Sequence, residues 1–241
     1  MKNTLSEKVA VITGSSGALG SATIKLFLEN GASVVALYHT EEKYRKLLKA
    51  LSDYSEKLIG VLGDATKATD CEKLIQTAIK SYSKVDILVN IVGGWKGGST
   101  IDKTSVETWN YMMDLNAKSM FLCCRAVLPY MVERNYGKIV SISAKSSMPE
   151  GRMKNSSVYA ASKGVVRILT QAMTQEYMDK GININCIMPS TIDTLANREM
   201  MPKADFSKWV PPELIADTIL FLCSDQSAEI KGASIPVYGR S

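Results

Sequence analysis

Seven short apolar runs, rich in β-branched residues, recur along the chain with longer helical patterns between them. They are Val9 to Ile12, Ser33 to Leu37, Leu58 to Leu62, Val85 to Val92, Lys138 to Ile142, Ile182 to Met188 and Ser234 to Val237. Continuous rather than alternating apolar character suits strands buried on both faces of a parallel sheet. The intervening stretches read as helices: Leu19 to Asn30, closed by Gly31 just past its end, then 41–52, 69–82, 106–134, 157–180 and 212–223. Strand–helix alternation with crossovers of this length predicts a doubly wound, seven-stranded parallel α/β sheet. No Pro/Gly-rich linker divides the chain and no repeat is visible, so residues 1–241 read as one domain.

Composition removes several classes of chemistry. His39 is the single histidine, so multi-histidine zinc sites and di-metal sites are not expected, and proton transfer has to run through another side chain. Five scattered cysteines with no CxxC pair read as reduced thiols rather than a disulfide framework. The net charge of +5 is spread along the sequence, and the densest basic run, Lys43 to Lys49, is mixed with Glu41, Glu42 and Tyr44 in a helical pattern. Nucleic-acid binding is therefore not expected. The start of the chain does not resemble a signal peptide, and no segment approaches the ~20 apolar residues of a membrane span. These readings predict a cytoplasmic protein without a membrane partner.

Two irregular stretches leave the carboxyl ends of strands, where open α/β sheets bind ligands. One is Gly93-Gly94-Trp95-Lys96-Gly97-Gly98; the other is 190–211, long enough to act as a substrate lid. A third feature, Thr13-Gly14-Ser15-Ser16-Gly17-Ala18-Leu19-Gly20, joins the first strand to the first helix. A glycine-rich turn there presents backbone N–H groups and the positive helix end to a pyrophosphate.

The ordered set of motifs across the chain resembles the short-chain dehydrogenase/reductase family, whose fold is Rossmann-like. Besides the glycine turn, Val89-Asn90-Ile91-Val92-Gly93 is similar to the family's Asn-Asn-Ala-Gly strand end, and Trp109 and Asn116 match its helix signature. Tyr159-Ala160-Ala161-Ser162-Lys163 matches Tyr-x-x-x-Lys, and Asn185 to Thr194 resembles its Asn-x-x-x-Pro-Gly-x-x-x-Thr loop. Four departures stand out: Ala18 replaces a glycine, Ile91-Val92 replaces Asn-Ala, Ser190 replaces a glycine, and Tyr238 occupies the usual aspartate of the C-terminal end. The resemblance implies dinucleotide binding by Gly14, Ser15, Ser16, Gly17, Ala18, Leu19, His39, Thr40, Asp64, Ala65, Asn90, Tyr159, Lys163, Pro189, Ile192 and Thr194, with Asp64 at the adenine. It also implies catalysis by Tyr159, Lys163 and Asn116, the last supporting a water-mediated proton relay.

Residues four apart share a helix face, so Tyr159 and Lys163 can point into one site. A phenol with a pKa near ~10 is a poor acid–base group at neutral pH, and a nearby ammonium is expected to lower that value. The family's substrate-polarising serine is harder to place. Counting from Gly137 reaches Ala144, counting thirteen back from Tyr159 reaches Ser146, and strand alternation turns the adjacent Ser143 to the opposite face. Ala144-Lys145 resembles the pair found in dihydropteridine reductases, which lack that serine.

The cofactor-selecting position at the end of the second strand is Tyr38, not an acid, followed by His39 and Thr40. With no carboxylate to repel a 2′-phosphate, NADP(H) is favoured over NAD(H). Trp95, Met153, Met200, Met201, Phe206 and Trp209 are candidates for lining an apolar substrate pocket. Three functions remain open: an NADP(H)-dependent oxidoreductase of a small carbonyl or alcohol, a reductase of an activated ring such as a dihydropteridine or quinone, and a catalytically weak dinucleotide-binding sensor or scaffold. By resemblance, a homodimer or homotetramer is expected.

Overall fold

The computed structural model describes residues 4–240, so the ends of the 1–241 domain span, residues 1–3 and 241, lie outside it. Seven parallel strands form one sheet: β1 (Val9–Ile12), β2 (Ser33–Tyr38), β3 (Leu58–Leu62), β4 (Ile87–Asn90), β5 (Gly137–Ile142), β6 (Ile182–Pro189) and β7 (Ser234–Val237). Their order is β3-β2-β1-β4-β5-β6-β7. The winding reverses between β1 and β4, which opens a crevice at their carboxyl ends.

Helices α1 (Ala18–Glu29), α2 (Glu41–Ala50), α3 (Ala68–Tyr82), α4 (Val106–Met113), α5 (Ser119–Glu133), α6 (Ser157–Tyr177), α7 (Leu195–Met200) and α8 (Pro212–Cys223) complete the chain. Each strand sends alternate residues to opposite faces. Ala10 and Ile12 of β1 pack in one core with Ile24 and Phe27 of α1 and Ile215 and Ile219 of α8. Val9 and Val11 pack in the other, with Leu74 of α3, Val127 and Met131 of α5, and Val166 of α6. Two apolar layers thus hold the strand ends rigidly, as a preorganised site requires.

Four local readings of the sequence need correction. The run 85–92 yields a strand only over Ile87–Asn90, because the Thr13 hydroxyl accepts from Ile91 N (3.1 Å) and Val92 N (3.2 Å) and draws them off the ladder. The stretch 106–134 is not one regular α-helix: a π-helical turn, Asp114–Lys118, separates α4 from α5. The helix expected over 157–180 ends its α-helical part at Tyr177, with a tight 3₁₀ turn, Met178–Lys180, before Gly181 in the left-handed conformation. The irregular span 190–211 contains α7 and a 3₁₀ turn, Phe206–Lys208. No described helix is long and apolar enough to cross a membrane.

Candidate active site

The glycine turn is built by close packing. Gly14 has φ +69°, and a Cβ there would lie 3.0 Å from Val92 N. A Cβ on Gly20 would sit 2.1 Å from the Gly14 carbonyl oxygen, so only glycine lets α1 pack onto the turn. Gly17 occupies the N-cap and offers no side chain, which leaves the first N–H groups of α1 without a side-chain cap. Ser16 is half-buried, and Gly17 and Ala18 are exposed at the apex, while Leu19 is buried. Ser15, another expected cofactor contact, is buried beneath the turn. Its N–H (3.2 Å) and hydroxyl (2.8 Å) both donate to Leu37 O, so it braces the turn from inside.

On one side of this turn lie the ends of β2 and β3. Tyr38 stacks on Tyr44 with centroids 4.0 Å apart, and its hydroxyl donates to Glu41 (2.9 Å). His39 and Thr40 are exposed beside it. Asp64 accepts from the N–H and hydroxyl of Thr66 at 2.9 and 2.8 Å. Burial opposes ionisation of Asp64, but those two donors, with Lys67 and His39 nearby, hold its pKa below the usual value. Ala65 is buried, its carbonyl facing the Cys71 thiol.

On the other side, Asn90 donates to Ser141 Oγ (3.1 Å), and its own Oδ1 is buried without a hydrogen-bond partner. The π-helical turn aims Asn116 at the strand-end glycines. Its Oδ1 accepts from Gly94 N (2.9 Å), and its Nδ2 donates to Gly94 O (3.0 Å) and Ser162 Oγ (3.0 Å). Ser162 in turn donates to Tyr159 O (2.8 Å), linking Asn116 to the first turn of α6. A Cβ on Gly93 would be 2.8 Å from both Asn116 Oδ1 and Lys163 Nζ, so Gly93 lets these groups converge.

Lys163 is buried and donates to Ile142 O (2.8 Å). Burial lowers its pKa from 10.5 to about 8. Burial also raises the pKa of Tyr159 to about 12. This reverses the expected lowering of the phenol: Lys163 directs its proton to a backbone carbonyl, and desolvation alone governs the tyrosine. At neutral pH the phenol is fully protonated, the state of a proton donor.

The three serine candidates separate clearly. Ser143 donates to Lys163 O (2.7 Å) and meets Ser147 Oγ at 3.1 Å, so it supports α6. Ala144 is buried and has no hydroxyl to offer. Ser146 lies in a 3₁₀ turn, Lys145–Ser147, and its hydroxyl is buried without a hydrogen-bond partner. At the end of β6, Pro189 pairs with Val237, and beyond it Ile192 bridges to Val210 across the strap 190–211. Thr194 caps α7 by accepting from Asn197 N (3.2 Å). Of the candidate apolar lining, Trp209 is instead buried against Phe206, with ring centroids 4.8 Å apart. Trp95, Met153, Met200 and Met201 remain exposed.

Sequence reasoning missed Ser162, Gly94 and the Ile142 carbonyl. Ser162 could have been found, since it stands inside the Tyr-x-x-x-Lys segment three residues after Tyr159.

The crevice fits a dinucleotide: an uncapped helix start at a turn crowded down to glycine, an orphan Asn90 oxygen, and a tyrosine–lysine pair at its inner end. These features define a dinucleotide-binding oxidoreductase of the doubly wound class. A family model described as short chain dehydrogenase matches residues 8–205. The chain is 30% identical to the (2S)-[(R)-hydroxy(phenyl)methyl]succinyl-CoA dehydrogenase subunit BbsD of Thauera aromatica, over 98% of this chain and 96% of that protein. It is also 30% identical to the 2,5-dichloro-2,5-cyclohexadiene-1,4-diol dehydrogenase LinX of Sphingobium indicum, over 99% and 98%. Among solved structures, ElxO with NADP bound superposes with a TM-score of 0.89 at 25% identity, covering 96% of this chain and 97% of that one. The structure of gox2181 does so at 0.92 and 26%, covering 98% and 95%. The chain belongs to the short-chain dehydrogenase/reductase family and is an NAD(P)-dependent oxidoreductase of small-molecule substrates.

Proposed function

We propose that the protein interconverts a small carbonyl compound and its alcohol with NADP(H), Tyr159 giving or taking the proton at the substrate oxygen. The observation that carries this reading is the half-buried Tyr159, held protonated by burial, one helical turn before the buried Lys163 and beside the Asn116–Gly94 clamp. NADP(H), when bound, supplies the hydride. The α1 N–H groups and the backbone of Ser16, Gly17, Ala18 and Leu19 hold the pyrophosphate. Asp64 and Ala65 flank the adenine, and Asn90, Pro189, Ile192 and Thr194 border the nicotinamide half. Lys163 exchanges its bond to Ile142 O for the ribose hydroxyls, and Asn116 supports the relay that reprotonates Tyr159. Exposed His39 and Thr40, with no acid at Tyr38, favour the 2′-phosphate. The unpartnered Ser146 hydroxyl polarises the substrate oxygen in place of Ala144.

Residues 190–211 act as the lid. Arg198 grips Asp193 through two bonds of 2.6 and 2.7 Å and lies over Phe206, which stiffens the strap around α7. Trp109, Phe121 and Ile168 on α4, α5 and α6 are exposed, an apolar face suited to a second copy, which sedimentation would report as a dimer or tetramer.

The absence of a hydroxyl at Ala144 favours a second reading, reduction of an activated ring that needs little polarisation. NADPH oxidation against ketones, aldehydes, quinones and dihydropterins separates the two. Turnover on simple ketones and aldehydes supports the first reading, and turnover confined to quinones or dihydropterins supports the second. NADPH binding with no turnover on any of them would replace both with a dinucleotide-binding sensor.

A further inference from the structure

Tyr238 follows the last strand, where the resemblance implied an aspartate, and it meets the loop between β5 and α6. Lys145 Nζ lies 4.6 Å above the centre of its ring, and its hydroxyl donates to Glu150 Oε1 at 3.4 Å. These two residues stand at the two ends of the loop that carries Ser146. Within that loop Met148 N donates to Lys145 O, Gly151 N to Met148 O, and Ser147 Oγ to Ala144 O, while Ser147 Oγ also reaches Met188 Sδ of β6 at 3.9 Å. Gly151 folds back so tightly that a Cβ on it would sit 2.3 Å from Lys145 O.

The same C-terminal segment also grips both ends of the strap 190–211. Ser190 donates from its hydroxyl to Tyr238 O (2.7 Å) and from its N–H to Val237 O (3.2 Å). Arg240 N donates to Lys208 O (3.1 Å). A carboxylate at 238 would attract Lys145 and repel Glu150, whereas a tyrosine accommodates the cation on its face and the anion at its hydroxyl.

We propose that Tyr238 is a positioning residue for the reaction, clamping the two ends of the Lys145–Gly151 loop so that the buried, unpartnered Ser146 hydroxyl keeps its place, and tying that loop to the strap. This rests on the role given to Ser146 above. Displacing a positioned group by about 1 Å costs up to about 100-fold in rate.

The test compares Tyr238→Ala, Tyr238→Phe and the wild type by steady-state carbonyl reduction, NADPH titration by fluorescence, and hydrogen exchange of residues 144–151. Tyr238→Ala is expected to lose about tenfold or more in kcat, leave the NADPH Kd within twofold, and speed exchange at 144–151. Tyr238→Phe keeps the ring over Lys145 but loses the bond to Glu150, and its kcat is expected to fall between those of Tyr238→Ala and the wild type. A Tyr238→Ala variant with wild-type kcat, or one losing NADPH affinity in proportion to kcat, overturns the proposal. Should the wild type reduce no carbonyl compound, the reading of the active site fails by itself. The exchange arm then decides the clamp: faster exchange at 144–151 upholds it, and unchanged exchange overturns it.

Discussion

Replacing Lys163 by methionine keeps an unbranched stem of similar bulk and removes the buried ammonium. In the wild type, burial lowers the pKa of that group from 10.5 to about 8. At about 1.4 kcal/mol per pH unit, the folded state carries a penalty of about 3 kcal/mol on the charged form below pH 8. Between pH 8 and 10.5 the unfolded chain still binds a proton at Lys163 that the folded chain has released, so wild-type stability rises with pH across that window. The loss of the bond to Ile142 O adds an offset to the variant, and Tyr159 and the cysteines titrate in both proteins, so the difference isolates Lys163. Urea unfolding of both proteins at pH 7 and pH 10.5 measures it. The wild type is expected to gain about 3 kcal/mol on the variant over that interval. A difference that stays flat within about 0.5 kcal/mol would refute a depressed lysine pKa and, with it, the reasoning that burial rather than ion pairing governs this pair.

Other outcomes follow from the same geometry. Gly20→Ala forces a Cβ to 2.1 Å from Gly14 O, so a loss of about 1–3 kcal/mol in stability and of tight NADPH binding is expected by thermal melting and fluorescence titration. Retained affinity would contradict the tight turn. Tyr38→Asp puts a carboxylate at the end of β2 and is expected to weaken NADPH binding about tenfold or more relative to NADH, a ratio read from the two Kd values. All five thiols are buried, and burial raises the pKa of Cys124 to about 12. Folded protein should therefore react slowly with a thiol-specific disulfide reagent at pH 8, and unfolded protein should release five equivalents. Rapid reaction of the native protein would place a thiol at the surface.

The sheet was legible because a parallel sheet covered on both faces demands continuous apolar strands, and Val9–Ile12 or Ser33–Tyr38 leave no competing pattern. Strand ends were less legible where a side chain from elsewhere intervenes, as Thr13 does at Ile91 and Val92. The π-helical turn at Asp114–Lys118 has no breaker residue to announce it, and its effect lies in aiming Asn116. The glycine turn and the shared helix face of Tyr159 and Lys163 could be anticipated from spacing because each is fixed within one turn or one helix, whereas Asn116 was offered by the resemblance alone. The serine could not, because Ala144, Ser146 and Ser143 differ only in how the loop folds, and that depends on contacts with Lys163 O and Tyr238. The sign of the Tyr159 shift was also out of reach, since it depends on Lys163 donating to Ile142 O rather than on the four-residue spacing.

The claim at the centre of this account is that Tyr159 moves the proton. Tyr159→Phe removes only the hydroxyl, so single-turnover oxidation of bound NADPH by a carbonyl substrate, measured beside the NADPH Kd, tests it most directly. The account predicts a rate lower by about 10²- to 10⁴-fold with the Kd within twofold. An undiminished rate in Tyr159→Phe would contradict it.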